Sequence, residues 1–163
     1  MEASYPLPLN FHKKEDSKKD WAIMDRLAFE KLRDLPDKEI LDDISFKKEN
    51  KNTLSFDNIR VYNSMGIDLL LNGKYKPDIP SVRFNFCVRG TGPVCRVEVN
   101  SSIHGESGRT HKHSLQKENC PRRNLPYAEP RDDLKDKDTG QIWEILCKQS
   151  KINHKGIFIK PDG

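Results

Sequence analysis

Ser81 to Asn100 reads SVRFNFCVRGTGPVCRVEVN, and the alternation inside it decides the fold. Phe84, Phe86 and Val88 share one parity while Arg83, Asn85 and Cys87 share the other, the period-two signature of a strand buried on one face. A second run repeats the pattern, with Cys95, Val97 and Val99 apolar against Arg96, Glu98 and Asn100. The intervening RGTGP supplies the glycine and proline of a short hairpin loop. The stretch therefore predicts an antiparallel pair with one oily and one polar face. Cys87 and Cys95 fall on opposite faces and cannot bridge, so the cysteines are expected as free thiols, with Cys95 a small core residue.

Past this hairpin the chain continues SSIHGESGRTHKHSL, which places His104, His111 and His113 within ten residues. Imidazole gives and takes a proton near neutrality, and as a neutral ring it binds metals. An acid–base pair drawn from these three, with Lys112 as the cation, has the parts RNA cleavage needs. One ring removes the proton of the ribose 2′-hydroxyl, another protonates the departing 5′-oxygen, and the cation stabilises the charge on the phosphorane. That route uses no metal or other cofactor, and Glu106 is a substitute base. A second chemistry treats His104, His111, His113 and Cys120 as zinc ligands, although only His-x-His is a short chelating pair. A third is binding without catalysis. Arg83 and Arg96 lie on the polar hairpin face, Arg109, Lys112, Arg122 and Arg123 follow, and Tyr127 offers a stacking ring. Against all three stands a structural role, in which His111 and His113 line a partly buried strand face, each satisfied by a backbone carbonyl.

Upstream, the first sixteen residues, proline-broken and then charged, read as a flexible arm. A helix follows, with Ser17 as its N-cap and Trp21, Met24, Leu27, Ala28 and Leu32 at three- and four-residue spacing until Pro36. A second short helix from Asp37 turns Ile40, Leu41 and Ile44 inward. KKENKN is a polar break. Leu54 to Phe56, Ile59 to Tyr62 and Ile67 to Leu71 read as strands, with turns at Asp57-Asn58 and Ser64 to Gly66, and Asn72-Gly73 closes the section. Residues 101–138 read as a long functional loop. Thr139 caps a final helix with Ile142, Ile145 and Leu146 inward and Trp143 at its edge, and GIFIK adds an edge strand.

Length and composition set limits on these readings. The 163 residues suit a single domain, 1–163. Hydrophobic residues make up 34% and charged ones 33%, but 29 basic against 25 acidic leave only +4, a solvated globular surface rather than a disordered chain. Mild basicity permits nucleic-acid binding without demanding it. No apolar run reaches the roughly 18 residues of a membrane span, and MEASYPLPLNFHKKED lacks the apolar core of a signal peptide. A cytoplasmic protein without a membrane partner is expected.

The order of Arg96-Val-Glu-Val-Asn100, His104, a glycine turn, His111-Lys-His113, a charged loop and an amphipathic helix resembles a family of small, largely uncharacterised bacterial proteins associated with mobile elements. The resemblance covers about the last half of the chain. It implies an RNA-directed role, since proteins of this type include anti-CRISPR proteins that act on Cas9, some by damaging its guide RNA.

The expected architecture is α+β: N-terminal helices on an antiparallel sheet of about four or five strands, closed by a C-terminal helix. The leading function is a metal-independent ribonuclease, an anti-CRISPR or toxin-type factor with RNA or ribonucleoprotein as partner. The alternative is a non-enzymatic inhibitor that occupies a nucleoprotein such as Cas9 through a mixed basic surface. A zinc-dependent hydrolase stands third.

Overall fold

The computed structural model describes residues 24–100, 108–114 and 128–162. The chain enters through helix α1 (Arg26–Asp34) and two short strands, β1 (Lys38–Ile40) and β2 (Ile44–Ser45). Seven strands follow: β3 (Lys47–Asn50), β4 (Thr53–Val61), β5 (Leu69–Lys76), β6 (Ser81–Val88), β7 (Gly92–Val99), β8 (His111–Ser114) and β9 (Ala128–Pro130). A 3-10 turn (Asp132–Leu134) leads to helix α2 (Thr139–Ser150), then β10 (Ile152–His154) and β11 (Phe158–Ile159). Strands β3 to β9 form one antiparallel meander in chain order, while β1 pairs with β10 and β2 with β11, both parallel.

The alternating hairpin is the middle of this sheet. Val82 lies opposite Val99, Phe84 opposite Val97 and Phe86 opposite Cys95, so the apolar parities of β6 and β7 meet on one face. Phe84 and Leu71 are fully buried there, and Phe29 and Leu32 of α1 join Ile142, Trp143 and Leu146 of α2 in the same core. Helix α2 starts with a reciprocal cap: Asp138 accepts from the Gln141 amide at 2.8 Å, and the Gln141 side chain accepts from the Asp138 amide at 3.0 Å. Trp143 is buried rather than peripheral. It stacks on Phe158 with ring centroids 5.4 Å apart, and its Nε1 donates to His154 Nδ1 at 3.1 Å. That fixes the His154 proton on Nε2, which donates to the Asp42 carbonyl at 2.8 Å and locks the C-terminal segment to the β1–β2 connection.

The expected architecture is corrected on two counts. Among the described residues one helix, not two, precedes the sheet, and the sheet has seven strands rather than four or five. The stretch expected as a second helix forms β1 and β2, with Ile40 and Ile44 fully buried and Leu41 exposed. Its spacing fits either element over so few residues, and the parallel partners that select strands come from the far end of the chain. KKENKN supplies β3, an exposed edge strand without apolar alternation and rich in the charges that protect an edge. Asp57-Asn58 is a bulge within β4 rather than a turn, with Asn58 at φ 58°. Helix α1 begins later than expected, at Asp25, whose side chain accepts from the Ala28 amide at 2.8 Å; the Ser17 cap, Trp21 and the N-terminal arm lie outside the described residues.

Asn72-Gly73 does not end β5 but sits inside it, opposite Phe56 and Phe84 in register. The edge of the Phe56 ring occupies the space a Cβ on Gly73 would fill. The glycine is there for close approach, not for a turn. Gly73→Ala should therefore cost roughly 1–3 kcal/mol, with part of the loss recovered in the Gly73→Ala, Phe56→Leu double variant, as read by chemical denaturation.

Lys38 ends α1 from outside the helix. Its buried ammonium donates to the carbonyls of Leu32 at 3.0 Å, Arg33 at 2.5 Å and Leu35 at 2.9 Å, at the helix terminus where the Leu32 carbonyl otherwise has only a long bond from the Leu35 amide at 3.4 Å. Burial lowers its pKa to about 8, with Asp34 and Asp37 acting in the opposite direction. The unfolded chain holds this proton up to its ordinary pKa of 10.5, whereas the folded chain releases it near 8, so on this account stability rises between those values. Urea titrations of the wild type and Lys38→Met across pH 7–10.5 should show the wild type gaining on the variant above about pH 8. A pH-independent difference would refute the assignment.

Candidate functional site

The polar face of β7 and β8 gathers the side chains that carry chemistry. Antiparallel register sets Arg96 against His113 and Glu98 against His111, so all four project to one side of the sheet. The Arg96 Nε donates to Glu98 Oε2 at 2.6 Å. His111 Nε2 stands 3.9 Å from Glu98 Oε1, and His113 Nε2 stands 3.8 Å from Glu98 Oε2. The two rings meet edge to face with centroids 4.9 Å apart. His111 Nδ1 lies 3.0 Å from the Gly108 carbonyl, which can only accept, so this nitrogen carries a proton and Nε2 is the atom presented to Glu98. One half of the expected structural role, a ring held by a backbone carbonyl, is thus present at His111.

Burial decides what these groups can reach. His111 is 0% and His113 2% exposed, and Arg96 and Glu98 are buried beside them. A general base must come within about 3 Å of the proton it takes, directly or through one water. Rings enclosed to this degree present no face to a ribose. The expectation that His111 and His113 stand on a loop is corrected as well, because residues 111–114 form β8 in the body of the sheet. Strand alternation also separates Lys112 from its neighbours. Lys112 lies opposite Val97 and, with Arg33 and Arg131, edges a cavity of about 60 Å³ over Phe29, Leu32, Cys95 and Leu146 on the other face. The cation beside the histidines is Arg96.

The sequence assigns Glu98 no role beyond the polar parity of the second run. It shares the parity of Arg96, and a His-x-His strand pairing with β7 brings both histidines to it, so parity was the available signal. His104, Glu106, Cys120, Arg122, Arg123 and Tyr127 lie outside the described residues.

Arg83 and Arg109, two of the expected RNA contacts, line one cleft of about 210 Å³ with Lys74, Lys76, Glu98 and Asn100. Arg96 does not belong to that cationic surface, being buried and spent on Glu98. Arg96 neutralises the cleft's carboxylate and Lys74 pairs with Glu49 at 3.5 Å, and the cations that line the cleft still outnumber these carboxylates. Arg109 and Asn100 also line a neighbouring depression with Lys135, Asp136 and Lys137, where Lys135 pairs with Asp132 at 3.0 Å. On the other side of Arg83, Asn85 Oδ1 is a buried acceptor without a hydrogen-bond partner among the described residues.

Cys87, Cys95 and Cys147 are free thiols. Burial raises the pKa of Cys87, outweighing the Asn72 hydrogen bond and the nearby Arg96, both of which favour its thiolate. Burial pushes Cys147 up to about 12. Among the described residues no helix is long and apolar enough to cross a membrane. Comparison with family models, curated proteins and solved structures gave no match.

Removing one member of a buried ion pair strands the other, whereas removing both together relieves it. Glu98→Ala should cost about 3–5 kcal/mol, and Arg96→Met, Glu98→Leu should recover much of that loss. Thermal and urea unfolding of the single and double variants measure it. Equal losses in both would show that the pair does not govern this face.

Proposed function

We propose that this protein binds RNA, alone or within a ribonucleoprotein, by seating phosphates in the cleft of Lys74, Lys76, Arg83 and Arg109. The observation that carries this reading is the sign and placement of charge. Four cations converge on one concave patch of the polar face, whose one lining carboxylate is paired with Arg96 and whose Lys74 also reaches Glu49, and Arg109 continues it toward Lys135 and Lys137, which stand beside Asp136. A cleft of about 210 Å³ is smaller than the roughly 300 Å³ at which enclosed small-molecule sites begin, and it suits a phosphate group lying against an extended surface. Of the functions expected from sequence, the geometry favours a binding protein that occupies RNA or a nucleoprotein over metal-independent cleavage by His111 and His113, whose rings are enclosed.

Fluorescence anisotropy with labelled single-stranded and duplex RNA, repeated across a salt series, tests this reading. Affinity should fall with salt, and Arg83→Ala or Arg109→Ala should weaken binding and reduce the salt slope by about one each. Lys155→Ala, which removes an exposed cation paired with Glu39 away from this cleft, should change neither. Binding that ignores salt, or survives both arginine variants unchanged, would overturn the proposal. Product analysis of the same RNA separates binding from cleavage.

A further inference from the structure

We propose that Glu98, His111 and His113 form a site for one first-row divalent transition-metal ion, of which zinc is the representative. This inference rests on the buried side of the polar face and is independent of the RNA reading. Each of the three residues offers a ligand atom within 4.8 Å of the other two. The separations of the two Nε2 atoms from the Glu98 oxygens, 3.9 and 3.8 Å, exceed hydrogen-bond length. Ligands about 2.0–2.1 Å from a tetrahedral ion lie roughly 3.4 Å apart, so three atoms that all lie within 4.8 Å of one another must close by at most about 1.4 Å around a metal.

The proton inventory points the same way. The Gly108 carbonyl fixes the His111 proton on Nδ1, so in the neutral ring the Nε2 lone pair is aimed at the carboxylate. A lone pair and a carboxylate oxygen repel each other, and a cation between them turns that repulsion into two bonds. The carbonyl bound at the far ring nitrogen is the outer support that metal-ligating histidines ordinarily have. Arg96 plays the corresponding part for Glu98, binding Oε2 and leaving Oε1, the oxygen nearest His111, to face the ion. Two imidazole nitrogens and one carboxylate select zinc and its first-row neighbours over magnesium or calcium, which take oxygen ligands.

The full chain, stripped with chelator and dialysed, is titrated with Zn²⁺ by calorimetry and with Co²⁺ by absorption spectroscopy. One equivalent should bind, Mg²⁺ should not compete, and the Co²⁺ spectrum should lack a thiolate charge-transfer band. Glu98→Gln, which keeps the shape of the side chain, should weaken Zn²⁺ binding at least about tenfold, as should His113→Ala. If His113→Ala fails to fold, the Glu98→Gln titration and the Co²⁺ spectrum of the wild type decide. No binding by the folded wild type overturns the site, as does a thiolate band, which would put the ion on cysteine. Unchanged affinity in folded Glu98→Gln overturns it equally.

Discussion

The rest of this structure depends on the strict two-residue alternation of β6 and β7. Because successive side chains of a strand point to opposite faces, a slip of one residue would exchange Phe84, Phe86 and Val97 with Arg83, Asn85 and Arg96. Burying three apolar residues in place of three polar ones is worth several kcal/mol by transfer alone, on the order of 2 kcal/mol for each large side chain. The register is therefore held by the hairpin itself, and each later strand of the meander inherits it from its neighbour. Helices α1 and α2 are free to cover the apolar face because nothing polar from the central strands competes for that space.

The same alternation produces the chemistry of the opposite face. Once β8 pairs with β7, the His-x-His repeat has no choice of side, and both rings come to the one carboxylate of β7. Glu98 carries an unusual load there. It neutralises Arg96, faces two imidazoles, and forms part of the wall of the basic cleft. Charge is unevenly spread as a consequence, with a compensated buried cluster at the β7–β8 pair and a cleft beyond it in which cations outnumber carboxylates. The proposed phosphate recognition belongs to the second region and the proposed ion ligation to the first.

Elements that depend on neighbouring residues were legible in the sequence, and those that depend on distant ones were not. The hairpin, its faces, the free thiols on opposite sides and the inward residues of α2 follow from periodicity and turn chemistry. The segment from Asp37 to Ser45 defeats such reading, because its apolar spacing fits one helical turn or two short strands. Residues 152–159, more than a hundred positions away, supply the parallel partners. Gly73 misled for a related reason, since the space that requires glycine is filled by Phe56 from another strand.

Of the candidate site, the sequence by itself determined that His111 and His113 share a face and that Arg96 and Glu98 share another residue parity. Side-chain direction along a strand is a local property of the backbone. Only the tertiary structure decided that these two faces are the same face, that Lys112 is turned away from the histidines, and that the rings are enclosed rather than presented on a loop. Pairing and burial arise from which strands meet, and that is settled by the free energy of the whole sheet rather than by any window of the chain.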